Sequence, residues 1–227
     1  ASFIDFGMTG FPADKYGLIF WNHGGGSITG YGVDENFGYD GLSLLELNLA
    51  LEKSLASNTK LEFIGFDACL MATVETAAIA QDYAHYLIAS EELEPGYGWD
   101  YSFLADLGAN PQVGGAELGK IIADKFVASY AGSGQDATLS VIDLSKVNDV
   151  LQTMGNLMAA CNEDFSQATF KKLAKSRQNT KVFGGGSPRD NNCDLVDICD
   201  MATQLAPYYQ EEAKAVIQAV KNAVVYN

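Results

Sequence analysis

Along the first 145 residues, apolar positions fall into two alternating regimes. Four short runs, 16–21 (YGLIFW), 61–66 (LEFIGF), 86–89 (YLIA) and 138–142 (TLSVI), have the length and density of strands covered on both faces. Between them, apolar residues recur every three or four positions. Leu44, Leu45, Leu47, Leu51 and Leu55 predict a helix over 42–56, and Val74, Ala77, Ala78 and Tyr83 predict one that follows Cys69 and reaches His85. A third helix is predicted over 116–130, and Ser43 with Glu46 three residues later reads as a capping box. This alternation predicts an α/β fold, a three-layer sandwich whose mostly parallel sheet carries helices on both faces. Residues 1–145 form its core, and 146–227 read as a mainly helical continuation, with helices over 145–160, 165–176, 194–205 and 211–225. Residues 1–14 look like the tail of an element. The stretch 27–41, rich in glycine and acid, is expected to be a mobile loop, and 182–192 a second loop.

Composition narrows the function classes. The 227 residues are 48% hydrophobic, enough for a substantial core, and carry 14 Lys and Arg against 29 Asp and Glu, a net charge of −15. So negative a chain repels phosphates, which excludes nucleic acid as a partner. No run has the length and apolarity of a membrane span. Cys69, Cys161, Cys193 and Cys199 show no CxxC spacing, which argues against a zinc site, and four are too few for a disulfide scaffold.

Two strand ends carry chemistry. The run 16–21 leads directly into Asn22-His23-Gly24-Gly25-Gly26, and 61–66 into Asp67-Ala68-Cys69. In parallel sheets ligands gather at the carboxyl ends of strands. If the two strands are neighbours, His23 and Cys69 share one edge. An imidazole there supplies the base or charge that a thiol needs to act as a nucleophile, and a nearby helix start favours the thiolate. The Gly24 N–H stands ready for an oxyanion. His85, read late in the following helix, is a half-exposed surface residue. The His-Gly-Gly-Gly run also occurs in α/β-hydrolases, but these need Gly-x-Ser-x-Gly, which this chain lacks.

WNHGGG, YDGLSLLELNLAL, FDACLM, IASEELEPGYGWDY, TLSVIDLSKV and DLVDICDMA together resemble the clostripain-like cysteine peptidases, whose sheet is similar to that of caspases, legumains and gingipains. The resemblance spans nearly the whole chain. It implies a caspase-like fold and an endopeptidase acting on protein or peptide substrates, with His23 and Cys69 as the catalytic pair and the Gly24 and Cys69 N–H groups as oxyanion donors. It further implies that Asp67 selects Arg, then Lys, before the scissile bond, with Glu94 and Asp100 as weaker wall residues. No cofactor is implied. Calcium is left open because some members use it, although Asp34, Glu35 and Asp40 lack the spacing of an EF-hand loop. A bacterial, secreted or cell-surface parent is implied, of which this chain is an excerpt shortened at both ends. The alternative is a catalytically incompetent relative that binds peptides or a partner protein. Family members commonly mature by a cut after a basic residue in the loop beyond the His. Here 24–52 contains no Lys or Arg, so no self-cleavage is expected there, and Arg177, Lys181 and Arg189 mark the expected place instead.

Overall fold

The structure is a computed structural model describing residues 1–163, 165–184 and 194–227. It divides into two compact units, one of residues 1–145 with 225–227, the other of residues 146–224.

In the first unit, α1 (Ser2–Gly10) precedes β1 (Gly17–Trp21), and a single helical turn α2 (Gly26–Thr29) leads into β2 (Tyr31–Asp34) and β3 (Asp40–Leu42). Then come α3 (Leu44–Glu52), β4 (Leu61–Asp67), α4 (Val74–Ala80), β5 (Ala84–Ala89), α5 (Phe103–Ala109), α6 (Gly115–Ser129) and β6 (Ser140–Asp143). The Ser43–Glu46 capping box opens α3 as the sequence predicts. Strands β1, β4 and β5 are parallel neighbours. Strand β6 pairs antiparallel with β5, an exception within the mostly parallel sheet.

Both faces of β4 are covered, and its side chains divide by parity. Ile64 and Phe66 face Leu44, Leu47, Leu51, Ile79 and Ala80 of α3 and α4. Phe63 joins Trp99, Phe103, Leu118, Ile122, Phe126 and Val141 in a core under α5 and α6. That double burial explains why β4 reads as a continuous apolar run rather than an alternating one. Asp67 shares the parity of Phe63 and therefore the α5–α6 face.

Two expectations need correction. The stretch 27–41 is not an open loop: β2 and β3 form an antiparallel pair, Tyr31 opposite Leu42, around a short 3₁₀ turn over Glu35–Phe37. Residues 2–10 form a helix, and the Asp5 carboxylate in it accepts the Leu55 N–H at 2.8 Å. Lastly, α4 stops at Ala80, so His85 lies in β5. It is exposed near the amino ends of the parallel strands, away from the edge where Cys69 emerges.

The second unit holds α7 (Val147–Glu163), α8 (Gln167–Asn179), the two-residue strands β7 (Val182–Phe183) and β8 (Leu195–Val196), α9 (Ile198–Leu205) and α10 (Gln210–Ala223). Strands β7 and β8 pair antiparallel, so part of the predicted 194–205 helix is strand. The helix begins only after Asp197, whose side chain accepts the Asp200 N–H. Leu157, Cys161, Ala202, Leu205, Ala213 and Val216 make its core. The expected loop at 182–192 begins instead with β7, and its remainder from 185 on, with Arg189, lies outside the described residues, as does Cys193. Strand β9 (Val224–Tyr226) then closes the main sheet, whose order is β1-β4-β5-β6-β9. Its Tyr226 O–H donates to Asp124 at 2.5 Å, and Asn227 Nδ2 to Ser140 Oγ at 3.0 Å.

Candidate active site at the carboxyl ends of β1 and β4

The pairing of β1 with β4 runs from Gly17 opposite Phe63 to Trp21 opposite Asp67. His23 and Cys69 each stand two residues beyond that last matched pair, on adjacent parallel strands. Gly24 presses directly on the second loop: a Cβ there would lie 2.2 Å from the Cys69 carbonyl oxygen and 3.1 Å from the Ala68 Cβ. Only glycine permits this approach. Among the described residues, neither the Gly24 N–H nor the Cys69 N–H donates a turn or loop backbone hydrogen bond to another residue.

The His23 backbone is fixed on both sides. Its N–H donates to Asn22 Oδ1 at 2.6 Å, and its carbonyl accepts the Gly32 N–H at 2.8 Å. Asn22 Oδ1 also accepts the Val33 N–H at 3.0 Å, which ties the residue before His23 to β2. The imidazole itself is exposed, and no hydrogen bond joins it to Cys69 among the described residues.

Cys69 is half-buried and held by one residue. The Glu94 N–H donates to Sγ at 3.2 Å, and Sγ–H reaches the Glu94 carbonyl at 3.8 Å. Burial pushes the thiol up, and the negative fields of Glu94 and Glu92 add to it, against the opposing Glu94 N–H. The expected help from a helix start is missing. Helix α4 begins at Val74 behind its Thr73 cap, so Cys69 sits in a connecting turn. That turn contains Leu70 with φ of 63°, buried and left-handed. Such a conformation in a non-glycine residue costs about 1–3 kcal/mol and persists where neighbours over-determine it. Here the Leu70 N–H donates to Glu92 O at 3.1 Å and the Ala72 N–H to Ser90 O at 2.9 Å, stapling the turn to the segment after β5.

Asp67 is 2% exposed. Both of its oxygens accept the Trp99 N–H at 3.2 Å, and Oδ2 also accepts the Tyr101 O–H at 3.0 Å. Burial raises its pKa, and these bonds oppose the rise. Gly98, at φ of 70°, lets the backbone pass so close that a Cβ would stand 2.6 Å from Asp67 Oδ1. Glu94 lies beside this group. Trp99 Nε1–H donates to Glu94 Oε1 at 3.3 Å, while the buried Oε2 meets no N–H or O–H donor, and the Glu94 carboxyl lies within hydrogen-bonding reach of Asp67. Burial, and after it the charge of Asp67, push the Glu94 carboxyl up to about 9.

The structure thus gathers Cys69, Asp67 and Glu94 around one segment, 92–101, and sets His23 at the end of the adjoining strand. Asp100 does not join them. Its Oδ1 accepts the Ser102 N–H at 2.9 Å in a local turn, which holds its carboxyl below the usual range. Tyr101, Leu70 and Asn22 escaped the sequence reading. For Tyr101 the signal was present: in Trp99-Asp100-Tyr101 the two aromatics share a parity, and both meet Asp67. Asp34, Glu35 and Asp40 line a cleft of about 520 Å³ with Asn22 and Tyr31, but Asp34 Oδ1 is engaged by the Asn36 N–H. Among the described residues no three acid, His or Cys side chains converge as a metal site would require.

An α/β sheet of this strand order, with a thiol and an imidazole at the carboxyl ends of two neighbouring parallel strands, is the caspase-like fold of the solved cysteine proteases it resembles. One is an inactive zymogen C11 protease from Parabacteroides distasonis, 24% identical with a TM-score of 0.69, covering 99% of this chain and 59% of that one. Another is a secreted protease from Bacteroides thetaiotaomicron in complex with an irreversible peptide inhibitor, 23% identical with a TM-score of 0.69, covering 99% and 60%. The chain belongs to the clostripain family, whose model matches residues 1–227. It is 27% identical over 224 residues to clostripain of Hathewaya histolytica, covering 80% of this chain and 41% of that protein. The chain therefore spans less than half the length of that relative.

Proposed function

We propose that this chain carries the catalytic core of a secreted cysteine endopeptidase that cuts after Arg and, less readily, Lys. The observation that carries the reading is the β1–β4 register, which sets His23 and Cys69 at matched positions with Gly24 against the Cys69 carbonyl. Cys69 Sγ, as thiolate, bonds to the scissile carbonyl carbon. The resulting oxyanion accepts the N–H groups of Gly24 and Cys69. The imidazolium of His23 gives its proton to the departing amine as the C–N bond breaks. Water then attacks the thioester, passing a proton to His23, and the acid product leaves with Cys69 restored. Asp67 supplies negative charge for the basic side chain before the scissile bond. No step needs a metal. Among the described residues no helix is long and apolar enough to cross a membrane.

A peptide electrophile ending in Arg tests the reading. It should modify Cys69 alone, with the Lys analogue slower and the uncharged citrulline analogue slowest. Modification of another cysteine, or equal rates for the three probes, would overturn it. A second reading, a peptide-binding domain that does not cut, draws on the raised thiol and the unbonded imidazole. Labelling at Cys69 without turnover of the matching peptide amide would select it.

A further inference from the structure

The 92–101 segment carries a buried oxygen that no N–H or O–H group of the protein reaches. Glu94 Oε2 accepts from none of them, though Glu94 Oε1 is held by Trp99 Nε1–H, its backbone N–H is bonded to Cys69 Sγ, and its carboxyl lies within hydrogen-bonding reach of the Asp67 carboxyl. Buried polar atoms are almost always satisfied, so such an orphan points to a missing ligand or proton. Hydrogen-bond accounting at Asp67 points the same way. A carboxylate offers about four acceptor sites, and here Trp99 N–H reaches both oxygens while Tyr101 O–H takes one more. A guanidinium brings five donors, and Asp67 alone cannot accept them. Glu94 Oε2 is the unspent acceptor beside it.

We propose that Glu94 keeps a proton in the free protein and surrenders it when a guanidinium or ammonium group binds, so that Asp67 and Glu94 grip the cation as a pair of carboxylates. This rests on the basic-side-chain reading above and adds to it that recognition is coupled to proton release.

The surroundings of Glu94 support the protonated resting state. Asp67 from the end of β4 is the charged group that acts on it. Around it stand Cys69, Tyr101, and Tyr130 from the end of α6, and each of these is itself raised with Glu94 among the causes. Tyr31 of β2 faces Asp67. None of these groups is cationic. Two carboxylates so placed do not both ionise without a countercharge, and an arriving cation supplies one. The carboxyl value of about 9 places the exchange across neutral pH.

The probe is N-acetylagmatine, which carries the arginine side chain but lacks the scissile carbonyl that follows it, with its uncharged urea analogue as control. Calorimetry of this protein at pH 7.5, in two buffers of different ionisation heat, reads protons released per ligand bound. The expected result is close to one proton released, and affinity rising toward tenfold per pH unit from pH 7 to 8.5. Glu94→Gln should bind with no proton release and a flat pH profile. Binding of N-acetylagmatine by the unmodified protein without proton release would overturn the proposal and leave the basic-side-chain reading standing. Equal binding of the urea analogue, or no binding of the cation, would overturn both. Because the deciding measurement is made on the unmodified protein, a failure of Glu94→Gln to fold does not remove the test.

Discussion

Replacing Gly24 by Ala tests whether the contact between the His23 and Cys69 loops sets the geometry of catalysis. The new Cβ would stand 2.2 Å from the Cys69 carbonyl oxygen, 3.0 Å from Met71 Cγ and 3.1 Å from the Ala68 Cβ. Ordinary contact begins at 3.4 Å, so the two loops must part by about 1.2 Å. The obstruction is backbone, pinned by the Leu70 and Ala72 N–H bonds, and has no rotamer by which to escape. A misplacement of about 1 Å costs on the order of 10²-fold in rate, and overpacking costs about 1–3 kcal/mol of stability. The variant should therefore fold, melt a few degrees lower, and lose about 100-fold in kcat/KM on an Arg-ending fluorogenic peptide. Gly25→Ala is the matched control. There the Cβ meets the Thr29 side chain, whose Oγ1 would lie 1.6 Å away, but Thr29 is exposed and free to turn aside. Its activity should stay within a few-fold of the unmodified protein. A fully active Gly24→Ala, or equal losses in both variants, would refute the claim that this approach positions the nucleophile.

Cys69→Ala should abolish peptide hydrolysis while Cys161→Ala and Cys199→Ser retain it, and turnover by Cys69→Ala would end the nucleophile assignment. Asp67→Asn removes the charge but keeps the shape. It should lower kcat/KM for Arg peptides by about 30-fold or more, since losing one partner of a buried charged pair costs about 2–5 kcal/mol; an unchanged Arg preference would move the role elsewhere. Glu94 also couples stability to pH. Folding raises its carboxyl from 4.5 to about 9, so the folded state holds a proton that the unfolded chain releases. Its stabilising contribution is complete below pH 4.5 and declines by up to about 1.4 kcal/mol per unit as pH rises toward 9. Melting curves from pH 5 to 9 should show a shallower decline for Glu94→Gln, and parallel declines would count against it. Finally, incubated protein should stay uncut within 24–52, because that stretch offers no basic residue; a new amino terminus between Ser27 and Gly41, absent from Cys69→Ala, would contradict both that expectation and basic specificity.

The central strands were legible because burial on both faces leaves an unbroken apolar run, as in 61–66, and because a strand that meets Gly24-Gly25-Gly26 must end there. The Ser43–Glu46 box marked the start of α3 for an equally local reason. Other features depend on partners distant in sequence. The β2–β3 pair looked like an open loop because its strands are short and polar, and only the pairing of Tyr31 with Leu42 makes them strands. His85 was assigned to a helix because Tyr83, beyond the end of α4 at Ala80, continues by accident the helical spacing of Val74, Ala77 and Ala78. The direction of β6 carries no sequence signature. At the candidate site the residue types His23, Cys69 and Asp67 were visible, while the raised thiol was not. It arises first from burial, and then from the charges of Glu94 and Glu92, 25 and 23 positions away in the chain, folded back onto Cys69.

Strand β9 carries a consequence for how the molecule is made. Its place beside β6 means that 80 residues, 144–223, are interposed between two adjacent strands of one sheet. The hydrogen bond from Tyr226 to Asp124 spans 102 positions. During synthesis the sheet that bears His23 and Cys69 can form up to β6, but its fifth strand must wait until the helical unit has been produced. Closing so long a loop adds only slowly to the entropic cost, so the delay weighs on timing far more than on final stability. For that interval the free edge of β6 is an unpaired strand edge, a template for pairing with other chains. The length of that interval is set by how quickly the helical unit is made and returns the chain to that edge.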